Sequence, residues 1–87
     1  MTSIQNRNQL LVEQFRLVRG FAYLSDVATW LNISPQSLNS KMKSDRVDGF
    51  LIDSFTAADA SLCYVQTYGL MKLVDNRLVL IRVPGWS

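Results

Sequence analysis

Apolar residues recur at helical spacing near the start of the chain. They are Leu10, Leu11, Val12, Phe15, Leu17 and Val18, with Leu11, Phe15 and Val18 falling at i, i+4 and i+7. Asn6 stands before them as an N-cap, Gln9 is three residues on, and Gly20 follows Arg19 as a C-cap would. The pattern predicts a first helix over about residues 7–19. Ser25 is a cap for a second helix, with Asp26 near the positive end of its dipole and Val27, Ala28 and Leu31 on its buried side. Asn32 tolerates the left-handed conformation that would end it. Ser34-Pro35 opens a third helix, with Leu38 and Met42 facing inward. Asp48 caps a fourth, carrying Leu51, Phe55 and Ala58 at i, i+4 and i+7.

The last third reads differently. Residues 61–68 fit either a short fifth helix, capped by Ser61 and stopped by Gly69, or a strand; the helix is preferred. Residues 70–83 alternate β-forming residues around Asp75-Asn76 and predict a hairpin with a two-residue turn, ended by Pro84-Gly85. The fold expected is mainly α: a four- to five-helix domain with a C-terminal β-hairpin. It is organised as a helical core over 1–69 and the hairpin over 70–83 of a single domain spanning 1–87.

Composition narrows the chemistry. The chain is 87 residues long, 48% hydrophobic and 18% charged, which suits one small domain with a real core. It contains no histidine and one cysteine, Cys63. That excludes an intrachain disulfide, a Cys/His zinc site, and Ser–His or Cys–His catalysis. The expected protein is not an enzyme and needs no metal or cofactor. No apolar run is long enough to span a membrane, and the polar start lacks the apolar segment of a signal peptide. A cytoplasmic, nucleoid-associated location follows as the expectation. The net charge of +2 is uneven. Residues 1–46 hold six Lys/Arg against three acids, whereas residues 47–87 hold three against four. Attraction to phosphate is therefore concentrated in the first half.

The segment LSDVATWLNISPQSLNSKMK, Leu24 to Lys43, couples two short helices through a turn of about three residues. Ala28 is small where the second helix must cross, Asn32 suits the turn, and Ile33 and Leu38 supply the packing between the helices. This segment resembles the helix-turn-helix of the phage repressor and Cro-like superfamily. The resemblance covers about residues 7–60 and is strongest over 24–46. The chain departs from that family at Asn32, where glycine is usual, at Trp30, where an exposed polar residue is usual, and at Leu24, where many members carry glutamine.

The resemblance implies a lambda-repressor-like helix-turn-helix domain that places its third helix in the major groove of double-stranded DNA. The base-contacting positions map to Pro35, Gln36 and Ser40: an apolar contact, a bidentate partner for adenine, and a hydroxyl. Ser37, Asn39, Lys41, Lys43 and Arg46 are then the phosphate contacts that fix register. The implied protein is a repressor from a temperate bacteriophage or prophage, regulating transcription as a homodimer on a palindromic operator. Two other roles remain open on the same fold: a protein-binding inhibitor of the anti-CRISPR kind, and an excisionase-like architectural factor.

Other residues have plainer readings. Trp30 and Cys63 are expected in or near the core, Tyr64, Tyr68 and Trp86 are expected to pack, and Asp53 and Asp59 are too far round a helix to form a carboxylate pair. In the predicted hairpin Met71, Leu73, Leu78 and Leu80 share one face, expected to cover the helices. Leu70, Val74, Val79 and Ile81 share the other, expected to form the dimer interface.

Overall fold

The computed structural model describes residues 6–85; Trp86, expected to pack, lies outside them. Four helices, α1 (Arg7–Arg19), α2 (Leu24–Leu31), α3 (Pro35–Lys43) and α4 (Gly49–Ala58), precede three strands, β1 (Leu62–Val65), β2 (Gly69–Val74) and β3 (Arg77–Leu80). The strands form an antiparallel sheet in the order β1-β2-β3.

Local signals set the helix boundaries. The Asn6 side chain accepts from the Asn8 and Gln9 N–H groups at 2.8 and 3.3 Å, satisfying donors that have no partner within α1. α1 and α2 stop in the same way. Gly20 (φ 73°) and Asn32 (φ 62°) adopt the left-handed conformation. In each case the following N–H reaches back over the last turn, Phe21 to the Arg16 carbonyl and Ile33 to the Ala28 carbonyl, both at 3.0 Å. Ser34 and Asp48 cap α3 and α4 through the N–H groups of Ser37 and Leu51.

Helix α2 starts earlier than the Ser25 cap implies. Its N-cap is Tyr23, and the Asp26 carboxylate accepts from the Tyr23 N–H at 3.0 Å. A charged acceptor at the third helical position outcompetes a hydroxyl one residue inside the helix.

Helix α1 runs through the middle of the molecule and packs against α2, α3, α4 and β2. The core gathers Leu11, Val12, Phe15, Val27, Ala28, Leu38, Leu51, Phe55, Leu62 and Leu70. Phe15 stacks on Phe55 with centroids 4.1 Å apart, and Trp30 tilts against Phe15 at 4.8 Å. The half-buried indole thus belongs to the aromatic core.

Three expectations about the last third are corrected. First, residues 62–65 form a strand, so the helical part ends at Ala58 and the sheet has three strands instead of two. The four-residue run Leu-Cys-Tyr-Val is too short to distinguish the two periods, and pairing with β2 decides it. Second, the hairpin register is as expected, Val74 opposite Arg77 through Met71 opposite Leu80, with Asp75 and Asn76 both left-handed (φ 52° and 64°). Its facing is reversed, however. Leu70 is fully buried and Ile81 packs on the core, while Leu73 and Leu78 stand 47% and 51% exposed. Leu70 and Ile81 therefore leave the expected dimer surface. Val74 and Val79 remain exposed because the hairpin tip extends past the helices it covers. Third, Tyr64 packs on the core as expected, but Tyr68 is exposed on the β1–β2 turn, and Cys63 is half-buried on the outer face of the sheet.

Two buried polar side chains tie the layers together. Gln14 donates from Nε2 to the Tyr68 and Ile81 carbonyls at 3.0 and 3.1 Å and accepts the Leu70 N–H at 2.7 Å. One side chain of the first helix thereby holds the β1–β2 turn and the end of the third strand. Gly69 makes room for it: at φ 80°, a Cβ there would lie 2.5 Å from Gln14 Oε1. Asn8 does the equivalent work at the other end of α1.

Candidate nucleic-acid interface

The interface is built around the short connection from α2 to α3. Left-handed Asn32 turns the chain, Ile33 tucks inward against the core, and Ser34 starts the next helix. Ala28 is fully buried, which lets α3 approach α2 closely. On α3, Leu38 is buried and Met42 packs against the core. Pro35, Gln36, Ser37, Asn39, Ser40 and Lys43 all face solvent. No residue of α3 carries a carboxylate. Two lysines lie in its last turn, and the free N–H groups of its first turn give that end a partial positive charge.

The expected base-contacting residues Pro35, Gln36 and Ser40 thus lie together on the exposed side and the first two turns of one helix. Of the expected phosphate contacts, Asn39, Lys43 and Arg46 are exposed, and among the described residues neither Lys43 nor Arg46 forms an ion pair. The Ser37 hydroxyl is engaged by Ser34 Oγ at 3.1 Å. Lys41 is the exception. Its ammonium is 3.2 Å from Asp48 and lies 5.0 Å from the centre of the Phe50 ring, so it is half-buried and neutralised within the chain. Residue spacing puts Lys41 on α3 but gives no sign of the carboxylate seven residues on.

The loop after α3 is held in place from α1. Asn8 Nδ2 donates to the Lys41 and Arg46 carbonyls at 2.9 and 2.7 Å, and its Oδ1 accepts the Asp48 N–H at 2.8 Å. Asn6 Nδ2 donates to the Ser44 carbonyl at 2.6 Å. These bonds fix the backbone that carries Lys43, Arg46 and exposed Asp45. Sequence reasoning missed Asn8, although a signal was there: it shares the row i, i+3, i+4, i+7 with Leu11, Val12 and Phe15, where a polar side chain is unexpected.

The remaining cations have other partners. Arg16 pairs with Glu13 at 3.1 Å and donates to the Phe21 carbonyl, and the Arg19 guanidinium lies 5.8 Å from the Trp30 ring centre. Two clefts are present, and neither shares a residue with α3. One, of about 550 Å³, is lined by Leu10, Gln14, Tyr68, Ile81 and Val83 among others. The other, of about 390 Å³, lies among Trp30, Leu31, Phe50, Ser54, Ala57 and Ala58.

Among the described residues no three His, Cys, Asp or Glu side chains come together in a way that could hold a metal ion. No helix among them is long and apolar enough to cross a membrane. Asp59 alone has a resolved shift, downward. The Ser61 hydroxyl and N–H, at 2.6 and 2.9 Å, stabilise its carboxylate, and Lys72 at 3.5 Å adds to this. It sits between α4 and the sheet, and its role is structural. Comparison with known protein families, with curated proteins and with solved structures finds no match.

Proposed function

We propose that this chain is a sequence-specific DNA-binding regulator of transcription, in which α2 and α3 form a helix-turn-helix of the lambda-repressor kind. The observation that carries the reading is the face of α3. A short helix, set by a tight left-handed turn, exposes Pro35, Gln36, Asn39, Ser40 and Lys43 with no carboxylate among them. Such a face suits a major groove lined with donors, acceptors and methyl groups between two rows of phosphates. Gln36 is the adenine-reading side chain, Pro35 and Ser40 flank it, and Lys43 and Arg46 grip the backbone beyond. The role is that of a phage-type repressor on a palindromic operator, bound by two copies.

Selection of bound fragments from a random duplex pool tests this directly. Enrichment of a short motif, lost on Gln36→Ala, supports it. Recovery of unenriched sequence with no dependence on Gln36 overturns it. A second reading, a protein-binding inhibitor on the same scaffold, draws on the apolar outer face of the sheet, and an unenriched pool would favour it.

A further inference from the structure

The outer face of the sheet has no cover within the described chain. Leu73 and Leu78 sit opposite each other there, half exposed, with Met71 and Leu80 beside them and no charged side chain among the four. At the tip, Val74 and Val79 are 43% and 46% exposed on the other face. Together they amount to an apolar patch on the order of 300 Å², large for a small monomer.

Strand β3 is also an edge. Its pairing begins with Val74 opposite Arg77 across a two-residue turn, so Arg77 and Val79 exchange hydrogen bonds with β2. Leu78 and Leu80 therefore direct their N–H and C=O groups away from β2, to the unpaired side. This edge is self-complementary. If a second β3 runs antiparallel with Val79 opposite Val79, each Leu78 exchanges both bonds with Leu80 of the other copy. The four leucines then lie side by side on the outer face. The same register brings exposed Arg82 of each copy opposite the Asp75-Asn76 turn of the other, setting a guanidinium beside a carboxylate at both ends.

We propose that two copies associate through β3 about a two-fold axis at Val79, joining their sheets into one six-stranded sheet with a continuous apolar outer face. A two-fold closes the pairing, so both edge and patch are consumed without a filament. The patch is smaller than the roughly 800 Å² per partner of a standard interface, and association on the order of micromolar is expected. The inference rests on the reading above in expecting paired copies, but it concerns a surface remote from α3 in sequence.

The test is sedimentation equilibrium of the full chain without DNA. The wild type should follow a monomer–dimer equilibrium. Leu78→Glu, at a half-exposed position, should be monomeric with an unchanged melting temperature. Asp75→Arg and Arg82→Asp should each weaken the dimer by roughly fivefold, and the two together should restore it. A wild type that stays monomeric at about a hundred times the expected constant overturns the proposal. So does a Leu78→Glu protein that dimerises normally, or a double variant no better than the singles. Because DNA is absent, a monomer that still selects a half-site would overturn this interface and leave the DNA reading standing.

Discussion

Helix α3 and strand β3 both expose most of their side chains, yet what they expose is opposite in kind. On α3 the outward residues are amides, hydroxyls and a lysine, around one buried row of Leu38 and Met42. On β3 they are Leu78 and Val79 beside Leu73 and Val74 of β2. Water solvates the first surface well, so its fitness for a partner lies in the pattern of donors and acceptors. Water solvates the second poorly, so burial itself drives it to a partner and pattern matters less. A domain this small covers little of its own surface, and it leaves uncovered two faces suited to different kinds of partner.

The predictions separate these faces, and the largest effect lies between them. Gln14→Leu leaves the Leu70 N–H and the Tyr68 and Ile81 carbonyls without partners in a buried place. It should cost about 3–5 kcal/mol in urea unfolding, with sheet signals lost before those of α2 and α3. Gly69→Ala forces a left-handed alanine against the same glutamine and should cost about 2 kcal/mol in the same measurement, leaving α3 unperturbed in its amide spectrum.

Effects on the polar face are smaller and appear only with DNA. Gln36→Ala should weaken binding to a selected site by about 1–3 kcal/mol and relax preference at one base, with unchanged self-association. Lys43→Ala should weaken binding to every sequence and lower the salt slope by about one per copy. Lys41→Ala, already paired with Asp48, should change the slope much less; equal slopes for the two lysine variants would contradict the Lys41–Asp48 geometry.

The smallest effect is a pH dependence of the sheet junction. Asp59 titrates lower folded than unfolded, so its contribution is fully present above about pH 4, the unfolded value, and fades as pH falls through the lower folded value. Asp59→Asn should flatten the acid side of the stability profile while leaving stability at neutral pH only slightly changed. An unaltered profile would remove Asp59 as its source.

The helices were legible in the sequence because their ends are local events: Asn6, Gly20, Asn32, Ser34-Pro35 and Asp48 each act within a few residues. The hairpin turn and register were legible for the same reason, since Asp75-Asn76 fixes both. The facing of the hairpin was not. Both sides of β2 and β3 are apolar, so alternation carries no sign, and the choice falls to Gln14, which seizes the Leu70 N–H from 56 positions away. Strand β1 was hidden likewise, since it exists through pairing with β2. At α3, exposure of Gln36, Ser40 and Lys43 followed from spacing alone, whereas the capture of Lys41 depends on where a later loop returns.

The bonds of Gln14 have a consequence for how the protein is made. Its partners lie 54, 56 and 67 positions downstream, so during synthesis the first helix leaves the ribosome long before they exist. The helical part forms from contacts near in sequence and can assemble early, with a polar amide facing the vacant place of the sheet. Only when residue 81 has emerged can that amide be satisfied. The last strand therefore acts as a completion signal: a nascent chain arrested before it should be readily cut by protease, and one arrested well beyond it should resist.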